Sequence, residues 1–165
     1  MRNLLMEWLN QHGFSSGKGI KVYTFEIDVL AVGKARITKK GILRTKTNNV
    51  FAFEFKIATT RKLVKEVVEQ AILRLVVADY IYIVVPKEAE IWKDEKTKEV
   101  INPVDLVLRE ASGTYSRKIG IVTVDAQGDV EIKREAVRSG LVVKELRKLV
   151  LKKVEQPQKI FFGKI

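Results

Sequence analysis

The chain has 165 residues, 46% of them hydrophobic, and a formal charge of +11 at neutral pH. That is enough for one domain with a sizeable core, and it argues against extensive disorder. There is no cysteine and only one histidine, His12, which excludes disulfides, thiolate zinc sites, iron–sulfur clusters, His-rich metal sites and a Ser-His-Asp triad. No apolar run is long enough to span a bilayer, and the N-terminus lacks the pattern of a signal peptide. The charge excess favours a polyanion, most simply DNA or RNA, with an anionic membrane surface as the plainer alternative. A cytoplasmic, nucleic-acid-associated protein is therefore expected. Richness in Lys, Glu, Ile and Val hints at a thermophilic source.

In chain order, Leu4, Leu5, Trp8 and Leu9 recur at helical spacing, which predicts a helix over 3–12 that Gly13 ends. A Ser/Gly loop is expected over 14–19 and one long strand over 21–32. Residues 34–49 are basic and turn-rich, with Lys39-Lys40-Gly41 as the hairpin turn. A second strong strand is predicted over 50–57, followed by a helix that Thr59 or Thr60 can cap. That helix carries Leu63, Val64, Val67, Val68, Ala71, Ile72 and Leu75 on one face. A buried strand over 80–85 is closed by Pro86. Residues 87–102 are charged and poorly periodic, so an irregular segment is expected. Pro103 suits the first turn of a short helix over 103–111. Strands over 119–124 and 130–133 flank a turn at Ala126-Gln127-Gly128-Asp129. A basic amphipathic helix over 142–155 should break at Pro157, which leaves one α/β domain over 1–156 and an apolar tail over 157–165.

Alternation along the strand at 50–57 sends Phe51, Phe53, Phe55 and Ile57 one way and Val50, Ala52, Glu54 and Lys56 the other. An apolar strand thus carries a carboxylate and an ammonium on one face. Burying such charges is costly unless they are paired or hold a metal. The earlier strand repeats the anomaly: Asp28 stands among Ile27, Val29 and Leu30 and shares a face with Thr24, Glu26 and Leu30. If the two strands pair, Asp28 and Glu54 converge and repel each other unless one is protonated or a cation sits between them. With histidine and cysteine out of reach, a hard divalent cation suits the site. A structural ion pair, Glu54 with Lys56 or Lys56 with Asp28, fits the same pattern.

Asp28 followed by Glu54-Phe55-Lys56 resembles the PD-(D/E)XK motif of restriction-endonuclease-like nucleases, with Ile27-Asp28 in place of Pro-Asp and a rather long insertion between the acids. Gln70-Ala71, the run from Ala78 to Pro86, and the run from Lys118 to Asp125 followed by Gly128 are similar to later parts of small archaeal-type members. The resemblance spans roughly residues 3–135. It implies an αβββαβ core, a central mixed sheet flanked by helices, here with an added C-terminal basic helix. It also implies a metal-dependent endonuclease acting on DNA. Asp28, Glu54 and the main-chain carbonyl of Phe55 would ligate Mg²⁺, for which Mn²⁺ would substitute, and Lys56 would orient the attacking water and stabilise charge on the phosphate. Gln70 would position the scissile strand or the water, and Glu7 or Glu26 could add an acid. Similarity to Holliday-junction resolvases suggests branched DNA as substrate and a homodimer as the working form. A non-catalytic nucleic-acid-binding module that keeps the nuclease fold is the alternative.

Around the motif, Lys34, Arg36, Lys39, Lys40, Arg44 and Lys46 form a basic hairpin without an acid, expected to project past the site and contact phosphates. Lys62, Glu66, Gln70 and Arg74 share one stripe of their helix. The last helix pairs a basic surface of Lys144, Arg147, Lys148, Lys152 and Lys153 with an apolar face that packs on the domain or forms a dimer. Ile160-Phe161-Phe162 has the aromatics of a sliding-clamp peptide at the wrong spacing, so clamp binding is not expected and tail docking or dimer exchange is favoured.

Overall fold

The computed structural model describes residues 1–57, 60–92 and 94–163. The elements are α1 (Arg2–Gln11), β1 (Ser15–Val22), β2 (Phe25–Thr38), β3 (Gly41–Phe55), α2 (Arg61–Arg74), β4 (Tyr80–Val85), β5 (Ala89–Trp92), β6 (Lys98–Ile101), α3 (Pro103–Glu110), β7 (Gly120–Val124), β8 (Val130–Arg134) and α4 (Lys144–Gly163). Six strands form one mixed sheet in the order β1-β2-β3-β4-β7-β8. Its β3-β4-β7 centre is parallel and its flanks are antiparallel. The expected α/β class with a central mixed sheet between helices is therefore present. No helix among the described residues is long and apolar enough to cross a membrane.

Strand alternation divides the apolar side chains into two cores. One joins Leu30, Val32, Val50, Ala52, Ile81 and Ile83 to α2, α3 and α4, through Val67, Ala71, Val107, Val150 and Val154. The other joins Val29, Ala31, Phe51, Phe53, Tyr82 and Val122 to α1, through Leu5 and Leu9. Helix starts follow local chemistry. Thr60 Oγ1 accepts from Leu63 N–H (3.2 Å) and Asn102 Oδ1 accepts from Val104 N–H (3.0 Å), each satisfying an N–H that a helix leaves orphaned. Thr59, the other expected cap, lies outside the described residues. The apolar face of α4 packs on the domain, with Val150 and Val154 buried.

Several expectations are corrected. Residues 15–32 are two strands, because the chain reverses at Tyr23 and Thr24, where Tyr23 has φ +52°. A non-glycine residue seldom takes such a turn position, so the sequence read as continuous. Residues 87–102 hold the β5–β6 hairpin, whose charged sequence lacks the regular apolar alternation that announces a strand. Helix α4 runs on through Pro157 to Gly163; proline within a helix removes one N–H bond and here does not end it, so the boundary expected at 157 is absent. The docking expected of Ile160, Phe161 and Phe162 lies outside the described side chains.

The basic hairpin is also placed differently. Beyond the β1–β2 and β3–β4 pairing, residues 33–49 form a two-stranded arm with a register shift between Gly33 and Ala35. Such a bulge bends a ribbon, and the arm folds back over the sheet instead of projecting past it. Ala35 and Ile37 are buried against Tyr82, Val122 and Ala136. The Tyr82 hydroxyl donates to Ile37 O (3.4 Å) and accepts from Ala136 N–H (3.2 Å), and burial pushes this phenol up to about 12. Gly120 makes room for that ring: a Cβ there would stand 2.3 Å from Tyr82 Cε1.

Asp79, just before β4, is a buried acid beside Val50, at the opposite end of the β3–β4 pairing from the Glu54-Phe55-Lys56 motif. Its Oδ2 accepts from Val50 N–H (2.7 Å) and from Arg147 Nη2 (3.2 Å), while Arg138 Nη1 stands 3.6 Å from Oδ1. Arg147 also donates to Asn48 O (2.9 Å). One carboxylate thus ties α4 to the sheet. Asp79→Ala should lower unfolding free energy by about 2–4 kcal/mol, since it leaves a buried N–H and an arginine without their acceptor. Urea denaturation checks this, and a change within about 0.5 kcal/mol would contradict it.

Candidate metal centre

The antiparallel register of β2 with β3 sets Val29 opposite Phe53 and Leu30 opposite Ala52. One further step brings Asp28 opposite Glu54, so the two acids singled out from the sequence do meet. On the other side of β2, bridges join Lys18 to Val29 and Ile20 to Ile27 but none joins Gly19 to Asp28. Gly19 has φ +62° there. This gap disturbs the alternation: Phe25 and Ile27 join the same core as Leu30, while Val29 joins the other. Simple alternation, which would put Phe25, Ile27 and Val29 on one face, therefore fails along this strand. Asp28 lies at the switch, half-buried.

Each carboxylate is held from a different side. Asp28 Oδ2 accepts from Phe55 N–H (2.9 Å), which pins it at the β2–β3 seam. Its Oδ1 accepts from Arg2 Nη2 of α1 (3.1 Å). Arg2 also lies over the Phe55 ring, 6.0 Å from the centroid. Glu54 is 2% exposed, and its Oε1 accepts from Arg74 Nε of α2 at 2.7 Å. Arg74 in turn donates Nη2 to Glu26 O (3.0 Å) and stacks over Phe25 at 4.7 Å. Burial pushes the Glu54 carboxyl from 4.5 up to about 7; Arg74 opposes the rise, and the neighbouring Asp28 carboxylate adds to it.

The counterions of these acids are therefore Arg2 and Arg74. Among the described residues no ion pair joins Lys56 to either acid, so the pairing weighed between Lys56 and Glu54 or Asp28 is not the one found. Lys56 follows β3 directly, half-buried, and its N–H donates to Val84 O (3.1 Å), which continues the sheet ladder. Gln70 is exposed on α2, one turn before Arg74. Glu7 and Glu26 are both exposed, and Glu26 enters the site through its main-chain oxygen. Among the described residues no group of three acidic or histidine side chains gathers anywhere. Arg74 stood on the same helical stripe as Gln70, yet four-residue spacing does not reveal that the last member of a stripe turns inward. Arg2 carried no sequence signal, being a terminal arginine among many cations.

The opposed Asp28 and Glu54 carboxylates are an all-oxygen donor pair. It fits Mg²⁺ or Mn²⁺, which take one or two protein carboxylates and leave the remaining positions to water and phosphate. The rise in the Glu54 carboxyl comes mainly from burial, with the Asp28 charge a smaller addition, and both favour a neutral or cation-paired acid. Comparison with protein-family models, with curated proteins and with solved structures gave no match to this chain.

The Glu54 carboxyl binds its proton more tightly in the folded chain than in the unfolded one. The stability it contributes is thus fully present below about pH 4.5 and is lost as pH rises to about 7. Across that window wild type should lose up to about 3 kcal/mol relative to Glu54→Gln, whose amide does not titrate. Chemical denaturation at a series of pH values tests it; parallel stability curves would contradict the assignment.

Proposed function

We propose that the chain is a metal-dependent endonuclease that hydrolyses phosphodiester bonds in DNA, with Asp28, Glu54 and Lys56 at its centre. The observation that carries this reading is the β2–β3 register, which brings Asp28 against Glu54 at the strand end where Lys56 follows. The resemblance of Asp28…Glu54-Phe55-Lys56 to the PD-(D/E)XK motif, the αβββαβ element order and the net charge of +11 support it.

In this reading Asp28, Glu54 and the Phe55 carbonyl hold Mg²⁺. When bound, the ion polarises the scissile phosphate and lowers the pKa of an attacking water. Lys56 orients that water and stabilises negative charge growing on the phosphate oxygens. Arg74 fixes Glu54 through one carboxylate oxygen and leaves the other towards Asp28. Arg2, half-exposed, neutralises Asp28 until substrate arrives. In the same reading Gln70, exposed one turn before Arg74 on α2, contacts the scissile strand. Branched DNA and a C₂ dimer that cuts two strands belong to the same reading.

The alternative, a nucleic-acid-binding module without catalysis, is favoured by one observation: Arg74 already neutralises Glu54 at 2.7 Å. Cleavage assays on plasmid, duplex, four-way-junction and RNA substrates with Mg²⁺ or Mn²⁺ separate the two. Wild type should cut DNA, junctions in preference to linear duplex, and Asp28→Ala, Glu54→Ala and Lys56→Ala should each reduce the rate by roughly a hundredfold or more. Equal cleavage by wild type and variants, or DNA binding without cleavage, would overturn the nuclease reading.

A further inference from the structure

Helix α1 links the carboxylate pair to a second feature. Its first residue, Arg2, binds Asp28. Its other end, through Trp8 and His12, lines an open groove of about 550 Å³ shared with the arm tip, Thr38 to Gly41, and with Val130 to Lys133 of β8. The groove has two kinds of lining. Trp8, Val130 and Ile132 are partly buried apolar side chains packed on the core. Lys39 and Lys40 are exposed at the rim without an ion-pair partner among the described residues, and Lys133 pairs with Glu131 at 2.8 Å. The Trp8 and His12 rings lie 4.6 Å apart, and His12 Nδ1 is 2.7 Å from Trp8 O, which keeps the imidazole beside the indole.

An aromatic and apolar floor beneath a cationic rim suits a nucleotide: the base covers the ring while the backbone meets the lysines. At 1.5 Å of rise per helical residue, Trp8 and His12 lie about 9–15 Å from Arg2 along α1. At 3.4 Å per base step of a strand that is roughly three to four steps.

We propose that this groove binds an unpaired nucleotide of the nucleic acid, three to four base steps from the phosphate held at Asp28 and Glu54, with Trp8 as the stacking surface and Lys39 and Lys40 as phosphate contacts. The spacing rests on the proposed phosphodiesterase site, whereas the groove's own chemistry does not. Paired bases have no free face to offer Trp8, so the groove selects DNA with an unpaired segment, such as a fork or an overhang. The arm then serves as the wall of a strand-binding groove.

The test is made without divalent metal, so that binding is read apart from cleavage. With Trp92→Phe, Trp8 is the remaining tryptophan and reports directly. A short oligo(dT) should quench its emission, and a blunt duplex of equal charge or heparin, which has no bases, should not. Lys39→Ala/Lys40→Ala should weaken oligo(dT) binding about tenfold and lower the slope of log affinity against log salt by about 1.4, at about 0.7 per phosphate contact on a single strand. This pair lies in an exposed turn, so folding is preserved, whereas Trp8→Ala removes a side chain packed on the core. Oligo(dT) that fails to bind, or binds by anisotropy without changing Trp8 emission, overturns the proposal. Equal quenching by heparin or blunt duplex overturns it as well. The same titration on Asp28→Ala separates the two readings: quenching retained there, in a protein that never cleaves DNA as wild type, upholds the groove and rejects the nuclease.

Discussion

Two acids facing each other across neighbouring strands, Asp28 and Glu54, set a condition that much of the molecule serves. Like charges at that separation are tolerated in an apolar sheet when something positive reaches them. Two arginines do so, from opposite faces. Arg2 comes from α1 on one side, and Arg74 comes from α2 on the other. Each arginine is itself anchored, Arg2 over Phe55 and Arg74 over Phe25 and on Glu26 O. The acid pair thereby fixes where both helices start or end against the sheet. Ion pairs of this kind contribute little net stability, because desolvation offsets most of the attraction. Their effect is on position: Glu54 is held by one oxygen, and Asp28 is pinned by the Phe55 N–H.

A divalent cation at this place would meet the same electrostatic requirement that the arginines now share. That is the physical link between the observed ion pairs and the proposed chemistry. The charge requirement is built into β2 and β3, and Arg2, half-exposed at the chain terminus, is the partner with the smaller desolvation cost of leaving. Arg74 is buried, and its contact with a single Glu54 oxygen is compatible with ligation through the other. Asp79 offers a contrast within the same chain. It is buried as Glu54 is, but it accepts from Val50 N–H and is flanked by two arginines, Arg138 and Arg147. That arrangement is a fastening of α4 and asks for no ion.

The helices, the 80–85 strand and the turn at Lys39-Lys40-Gly41 were legible in the sequence because each has strong local chemistry: 3.6-residue periodicity, a threonine cap, proline at a first turn, and glycine where φ must be positive. The meeting of Asp28 with Glu54 was expected from the family resemblance and not from the hairpin, whose register at Thr38 and Gly41 would set Asp28 opposite Phe51; the shift between Gly33 and Ala35 is what brings Glu54 there. Other features depend on tertiary context. The Tyr23 turn defied its own residue preference. The β5–β6 hairpin has little apolar alternation to announce it, and α4 continued through Pro157. The arm bends at a bulge that sequence does not encode in any simple way, so its basic residues fold over the sheet and end beside Trp8. Arg147 and Lys153, counted on a basic surface, are instead engaged with Asp79 and with Lys21 O. Arg74, which looked like the end of an exposed stripe, became the partner of Glu54.

The central claim is that Asp28 and Glu54 together form a divalent-cation site. Titration calorimetry with Mn²⁺ near pH 8, where Glu54 is ionised, tests it most directly on wild type, Asp28→Asn and Glu54→Gln. One bound ion per chain in wild type, lost in both variants while each remains folded by circular dichroism, is the predicted result. Equal Mn²⁺ binding in all three proteins, or none in wild type, would contradict the account and leave the acids as anchors for Arg2 and Arg74.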